Sequence, residues 1–176
     1  MPKRSRDDVE ADINKIVKIF QSDARISFND LAEKTGFSRQ KIWRIIKSLE
    51  KNKTIWGYTT IIDHKKLGLK QYVIMLKRKH GALVGKQLEK LVNRSIKKQI
   101  GKLGVFIETS YYTNGEYDWI SIASAESIFQ MKKYAEFIIK QSGDILSDVK
   151  IVEILFPLEI NNIENPKKEG IMDFFV

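Results

Sequence analysis

The chain has 176 residues, of which 43% are hydrophobic and 30% charged, and a formal net charge of +9. This composition is typical of folded proteins, and the length allows two small domains. The absence of cysteine excludes disulfides, thiolate metal sites and cysteine nucleophiles. The longest uncharged segment, Thr54–Ile62, is far too short to span a bilayer, and no apolar run follows Met1–Arg6. We therefore expect a cytoplasmic protein without membrane association.

The charge is distributed unevenly along the chain. Residues 1–60 carry a net charge of +5, residues 61–104 one of +10, and residues 105–176 one of −6. A basic front and an acidic back suit a protein that presents one side to a polyanion. A lysine-rich solvated surface is the alternative interpretation.

Three helices are predicted in the first fifty residues. Asp8–Gln21 has apolar residues at helical spacing. Ser27 is predicted to cap a second helix, and Gly36 can adopt the left-handed conformation that ends it. Ser38 is predicted to cap a third helix that extends to about Asn52.

After the third helix, strand patterns become frequent. Thr54–Ile62 is rich in β-branched and aromatic residues and is interpreted as a short hairpin or single strand, the wing of a winged helix-turn-helix. Asn114-Gly115 is a strong hairpin signal. Beyond a polar linker, the chain is predicted to form strand, helix, strand, strand, helix and strand at Tyr72–Lys79, Leu83–Lys98, Val105–Thr113, Tyr117–Ser124, Glu126–Gln141 and Val149–Phe156.

This order of elements is that of the ferredoxin-like fold, so we expect an α+β protein. The predicted domains are a winged helix-turn-helix at 1–60, a linker at 61–70, a ferredoxin-like domain at 71–156 and a C-terminal tail at 157–176. The strands at Tyr72–Leu76 and Ile151–Phe156 are almost entirely apolar. Because helices cover only one face of such a sheet, we expect the other face to form a homodimer.

The second and third helices, joined by a short turn at Gly36, have the order that places a recognition helix in a DNA major groove. Arg39 and Gln40 lie in the first turn of that helix, and both residue types bond base edges in pairs. The later cations are better placed for phosphates. Trp43 points roughly outward, and we favour its packing against the first helix or the wing. The predicted DNA-binding residues are Ser38, Arg39, Gln40, Lys41, Arg44 and Lys47.

Several motifs together resemble one family. Ile26–Ser38, Ile42–Glu50, Ile55–Tyr58 and Lys66–Leu69 stand in the order and at the distances of the leucine-responsive regulator family (Lrp/AsnC), of archaeal type. Gly115–Asp118 is similar to the G-x-Y-D motif of that family. The resemblance covers about residues 8–156 and implies a sequence-specific transcription regulator that binds double-stranded DNA.

The resemblance also implies assembly and sensing. Members of the family associate as dimers through the ferredoxin-like domain, often build tetramers or octamers, and bind small-molecule effectors between subunits. This assigns Gly115, Tyr117 and Asp118 to effector binding. Asp118 has two interpretations: it binds the amine of an effector, or it caps the hairpin and holds neighbouring amides. No cofactor or metal is expected, because His64 and His80 lack carboxylate or cysteine partners at ligand spacing.

The chain departs from the family at four informative positions. The family usually has arginine where Ile45 stands, which alters either DNA contact or helix packing. It usually has glycine where Lys53 stands, so we expect a less tight turn into the wing. Val152 and Ile154 replace polar residues in the last strand. We therefore expect weak binding, or none, of ordinary amino acids.

Two other functional classes fit the sequence less well. An RNA-binding module would stack bases on the aromatic residues of the sheet, although no aromatic ribonucleoprotein motif is present. An enzyme is not expected, since no nucleophile–base pair, paired carboxylates or glycine-rich phosphate loop stands out. The aromatic residues concerned are Tyr111, Tyr112, Tyr117 and Trp119.

The tail contains one further pattern. Ile171 is followed three positions later by Phe174 and Phe175. This spacing resembles the peptide that docks on DNA sliding clamps, with Lys168 where that motif has glutamine. Packing of the tail on its own subunit or on a partner subunit is the other interpretation.

Overall fold

The computed structural model of the protein describes residues 5–79, 81, 85, 89, 93 and 96–175. These residues form two compact units. Residues up to 61 cluster with the segment that begins at residue 157, and we call them the helical unit; residues 62–156 form the sheet unit. Within the described residues, no helix has the length and apolarity needed to cross a bilayer.

The helical unit contains three helices, α1 (Arg6–Ser22), α2 (Phe28–Thr35) and α3 (Arg39–Lys51). The predicted caps are confirmed: the hydroxyls of Ser27 and Ser38 each accept a hydrogen bond from the backbone amide three residues on. Gly36 ends α2 in the left-handed conformation with φ of 72°, as predicted. The buried core residues of this unit are Ile16, Leu31, Ile42 and Ile46.

The chain leaves α3 through a left-handed residue. Lys53 has φ of 62°, and the amide of Ile55 donates to the carbonyl of Leu49 at 3.0 Å across the turn. The expectation of a less tight turn is therefore wrong, because lysine adopts the conformation that glycine favours. A Cβ in this region approaches the neighbouring carbonyl oxygen, which costs about 1–2 kcal/mol.

The segment after this turn is not a strand. The prediction of a hairpin or strand at Thr54–Ile62 is wrong, because the segment has no backbone ladder with another strand among the described residues. β-Branched composition favours a strand only where a neighbouring strand is available. Side chains hold the segment instead: the Tyr58 hydroxyl donates to Glu50 Oε1 at 3.1 Å, and its ring centroid lies 6.3 Å from that of Phe20. Trp56 is 92% exposed.

We expect the Lys53→Gly variant to have a free energy of unfolding higher by about 0.5–1 kcal/mol, because glycine removes the backbone strain but adds entropy to the unfolded chain. Lys53→Ala is the matched control, since it removes the side chain beyond Cβ and keeps the strain. Chemical denaturation of the three proteins measures the difference. Equal stability of the glycine and alanine variants would show that the backbone at residue 53 is not strained.

The sheet unit has four antiparallel strands in the spatial order β2-β3-β1-β4. The predicted strands and the predicted helix at Glu126–Gln141 are confirmed, with ends that move by at most three residues. This is the ferredoxin-like α+β fold that the element order predicted. The elements are β1 (Lys70–Arg78), α4 (Lys97–Lys102), β2 (Phe106–Tyr112), β3 (Trp119–Ala125), α5 (Ile128–Ser142) and β4 (Leu146–Ile154).

One face of this sheet carries the core of the unit. Tyr72 and Ile74 of β1 are buried against residues of α5, among them Met131, Tyr134 and Ile138. Most of the helix predicted at Leu83–Lys98 lies outside the described residues. Its described positions include two hydrogen bonds of helical type, from the amide of residue 89 to the carbonyl of residue 85 and from residue 93 to residue 89.

The opposite face of the sheet is largely apolar and bears no α-helix of the described residues. The register places Val73 beside Ile122 and Val152, so the three side chains share this face. Val152 is 46% exposed. We call this surface the open face; its apolar residues are Val73, Met75, Ile120, Ile122, Val152 and Ile154, with Phe106 and Tyr111 on β2.

The tail is folded. β5 (Glu159–Ile160) and β6 (Ile163–Glu164) pair antiparallel. Asn161 and Asn162 between them have φ of 49° and 65°, the two left-handed residues that a type I′ hairpin turn requires. A 3-10 helix at Lys168–Phe174 follows.

Candidate functional site

One side of α3 is turned to solvent. Ile42, Ile46 and Leu49 are buried, and the residues on the other side of the helix are exposed at successive turns. This surface is the outward side of α3, and its exposed residues are Arg39, Gln40, Trp43, Arg44, Lys47, Ser48 and Lys51.

Lys41 does not belong to the outward side. Its Nζ lies 2.6 Å from Oδ2 of Asp12 on α1 and 3.4 Å from the ring centroid of Phe37. Asp12 is only 8% exposed, and a buried carboxylate is costly unless a cation neutralises it. Lys41 was predicted among the DNA-binding residues; in the structure it pairs instead with the buried charge that α1 supplies. Ser38, the cap of α3, accepts from the Lys41 amide at 3.3 Å.

Two other predicted DNA contacts have partners within the helical unit. Arg39 Nη1 donates to Asn29 Oδ1 at 3.1 Å. Lys47 Nζ lies 2.7 Å from Glu50 Oε2, and this hydrogen bond, followed by that of Tyr58, holds the pKa of Glu50 below its usual value. Both contacts are exposed and exchange readily with other partners, since surface pairs of this kind contribute little.

Gln40, Arg44 and Trp43 differ from Arg39 and Lys47, because their side chains have no such partner among the described residues. The side chains of Gln40 and Arg44 are exposed and make no hydrogen bond or ion pair within the part of the chain that the structure describes. The two residues also line a shallow cavity between α1 and α3 with Val9. Trp43 is 52% exposed and makes no ring contact among the described residues. Hydrogen-bond donors and an indole ring therefore lie on the same outward side of α3.

A second cluster lies at the β2–β3 hairpin of the sheet unit. Asp118 Oδ2 accepts from the backbone amide of Arg78 at 2.7 Å, and Oδ1 accepts from Arg78 Nε at 2.8 Å. The bond from the amide, followed by that from the guanidinium, lowers the pKa of Asp118. The carboxylate thus joins the hairpin to the end of β1. The bond to an amide resembles the second of the two interpretations of Asp118, but the amide belongs to β1 and not to the hairpin.

The loop between these strands is longer than the dipeptide suggested. The last strand pair is Tyr112 with Trp119, and a six-residue loop replaces a two-residue turn at Asn114-Gly115. The amide of Thr113 donates to the carbonyl of Asp118 at 2.8 Å, and the Thr113 hydroxyl donates to the Tyr117 carbonyl at 2.6 Å. These two bonds link the two ends of the loop. Of the predicted effector residues, Gly115 is exposed, while Tyr117 and Asp118 are half-buried.

Comparison with known proteins agrees with both units. Residues 13–55 match a family described as winged helix-turn-helix DNA-binding. An uncharacterised HTH-type transcriptional regulator of Pyrococcus furiosus is 26% identical over 73% of this chain and 80% of its own length. The HTH-type transcriptional regulator LrpA of Pyrococcus horikoshii is 42% identical over 30% of this chain and 38% of its own.

Solved structures show the same fold along nearly the whole chain. An AsnC family transcriptional regulator from Agrobacterium tumefaciens has a TM-score of 0.62 at 20% identity, covering 98% of this chain and 100% of that one. The chain therefore contains a winged helix-turn-helix region and has the fold of Lrp/AsnC transcription regulators. A regulator from Neisseria meningitidis in complex with L-Met has a TM-score of 0.62 at 15% identity, covering 94% and 98%.

The position where Lrp/AsnC proteins usually carry arginine is used for packing in this regulator. Ile45 is half-buried against the core of the helical unit and lines the cavity between α1 and α3 together with Val9. Of the two expectations for Ile45, altered helix packing is the one that the structure supports.

The sequence did not reveal a polar cluster at the edge of the sheet of this regulator. Glu108 lies at a β-bulge of β2, where the register shifts between residues 107 and 109. Its Oε2 accepts from Gln71 at 2.8 Å, and its Oε1 lies 2.9 Å from His64 Nε2. His64 therefore has the carboxylate neighbour that its sequence spacing did not reveal. Among the described residues, no group of three potential ligands forms a metal site, and His80 lies outside them.

The four aromatic residues of the RNA-binding alternative do not share a surface. Tyr111 lies on the open face, whereas Tyr112 and Trp119 pair on the helix-facing side with ring centroids 5.4 Å apart. Tyr117 is in the hairpin loop, where its hydroxyl accepts from Lys150 at 2.8 Å. These four residues therefore do not form one row of aromatic rings for base stacking.

Proposed function

We propose that this regulator inserts α3 into the major groove and reads base edges with Arg39 and Gln40, while Arg44 and Lys47 contact phosphates. The observation that supports the proposal most is the exposure of Gln40 and Arg44, whose polar ends have no partner among the described residues. Ser38 and Lys41 would contribute by positioning, because they cap α3 and attach it to α1.

Arg39 and Gln40 are the residues to test for sequence readout. We expect Gln40→Ala or Arg39→Ala to relax the preference at one base pair, with a loss of roughly 1–3 kcal/mol for the preferred duplex. Lys47→Ala should weaken all duplexes alike and lower the salt slope by about one, because it removes a phosphate contact. Selection of duplexes from a random pool, followed by salt-dependent binding to the consensus, measures both effects.

A matched control is Lys133→Ala, which removes one positive charge from the exposed surface of α5. It should leave both consensus and salt slope unchanged. If Arg39→Ala and Gln40→Ala selected the wild-type consensus, the assignment of α3 as the reading helix would be wrong.

We also propose that two copies of the chain associate through the open face. Val73, Ile122 and Val152 lie side by side there, and an exposed apolar surface of this extent marks an interaction site. A second copy of the same face is complementary to it, since a two-fold interface places the same apolar residues on both sides. Further assembly into tetramers or octamers would build on this dimer.

We expect Ile154→Glu to convert the dimer into a monomer, because a carboxylate buried between two apolar sheets would lose its hydration. Ile139→Glu is the control: Ile139 is 53% exposed on α5 and away from the open face, so that variant should remain dimeric. Sedimentation measures the assembly state, and circular dichroism separates dissociation from unfolding. A folded wild-type monomer at tens of micromolar would disprove the dimer.

Effector binding at the hairpin is a third part of the proposal. The relative from Neisseria was solved with L-Met; here Arg78 already bonds Asp118 through two donors. An effector ammonium would have to replace that guanidinium. Lys150, a nearby cation, is bonded to Tyr117. We propose that ordinary amino acids bind weakly or not at all, and that the regulator acts unliganded or with a less polar effector.

The twenty amino acids at millimolar concentration should therefore give no substantial thermal shift. A ligand at a hundred times its dissociation constant would stabilise the protein by roughly 2.7 kcal/mol, which is easily measured. Each shift is to be compared with that of Asp118→Ala, measured with and without ligand, because the substitution itself removes the bonds to Arg78. A large shift that Asp118→Ala abolishes would establish amino-acid sensing instead.

A further inference from the structure

The folded tail carries several exposed apolar side chains. Phe175 is 83% and Met172 is 61% exposed, and five large apolar side chains of this short segment face solvent. They are Leu158, Ile163, Met172, Phe174 and Phe175. Exposed apolar side chains that are clustered rather than scattered mark protein interaction sites.

The tail presents these side chains on an ordered backbone. Asn165 joins the β5–β6 hairpin through its side-chain amide, which donates to the Pro157 carbonyl at 2.8 Å, and through its backbone amide, which donates to the Leu158 carbonyl at 2.9 Å. Lys168 Nζ lies 2.5 Å from Glu164 Oε2, so an ion pair joins the hairpin to the 3-10 helix. A segment that is already ordered loses less conformational entropy when it binds a partner.

The type of helix determines which side chains act together. A 3-10 helix has three residues per turn, so residues i and i+3 lie on the same edge. Lys168, Ile171 and Phe174 therefore form one edge of the helix at Lys168–Phe174, with Phe175 next to them. An aliphatic residue followed by two aromatic rings at spacings of three and four is the order of the clamp-docking peptide, and this helix brings the three side chains together.

We propose that Lys168–Phe175 docks on a DNA sliding clamp, with Ile171, Phe174 and Phe175 inserted into an apolar pocket of the clamp surface. General apolar packing on another copy of this chain would need exposed apolar area but neither this spacing nor a 3-10 helix. A clamp encircles the duplex to which α3 binds, so DNA holds both proteins close together and raises the effective concentration of the tail.

Lys168 is the one departure from the motif, and it lowers the expected affinity for the clamp. Lysine only donates hydrogen bonds, whereas the amide of glutamine both donates and accepts. The ion pair with Glu164 must also be broken or moved before Lys168 can serve a partner. The docking is therefore weaker than that of a peptide with glutamine, and Lys168→Gln should strengthen it.

The test is calorimetric titration of the full-length protein, without DNA, against the purified sliding clamp of the same organism. We expect saturable binding that weakens at least about 30-fold in the double variant Phe174→Ala/Phe175→Ala, as aromatic hot spots do. Met172→Ala is the matched control, because Met172 is exposed but lies off the edge of Lys168, Ile171 and Phe174; its affinity should be unchanged. Lys168→Gln should bind more tightly than the wild type.

DNA binding through α3 should be the same in all four proteins, which shows that they are folded. Absence of clamp binding by the wild type and by Lys168→Gln would overturn the proposal. So would equal binding by the double variant and the wild type. If the double substitution changed the sedimentation of the regulator but not its clamp binding, the tail would be assigned to self-association.

Discussion

The orientation of α3 depends on one buried charge. Asp12 on α1 is almost fully buried, and Lys41 neutralises it at 2.6 Å while lying over the ring of Phe37. Loss of Lys41 would remove this counter-charge from the Asp12 carboxylate, which is 8% exposed, and a buried carboxylate is costly without one. The pair therefore fixes the rotation of α3 about its own axis. With Lys41 turned toward α1, Gln40 and Arg44 are left facing solvent.

A similar pair organises the sheet unit. Arg78 ends β1, and its amide and guanidinium both bond Asp118 across the hairpin. Donors of the chain itself thus occupy both oxygens of the Asp118 carboxylate. In both units a carboxylate and a cation join two separate elements, and the apolar core behind them holds those elements in place.

Local patterns predicted most of the fold. The caps of α2 and α3, the left-handed Gly36 and the four strands all depend on residues within one element or turn. The site was harder to predict, because its contacts join residues far apart in the chain: Lys41 with Asp12, Arg78 with Asp118, and His64 with Glu108. The predictions of a less tight turn at Lys53 and of a strand at Thr54–Ile62 were wrong, because tertiary contacts there override residue preference.

The bulge at Glu108 has a consequence for solubility. β2 is an edge strand of the sheet, and an edge offers unpaired amides and carbonyls to any extended chain. The bulge interrupts that row, and the ionisable side chain of Glu108 stands at the interruption, anchored by Gln71. The β2 edge of the sheet therefore resists the strand-by-strand growth that leads to fibres.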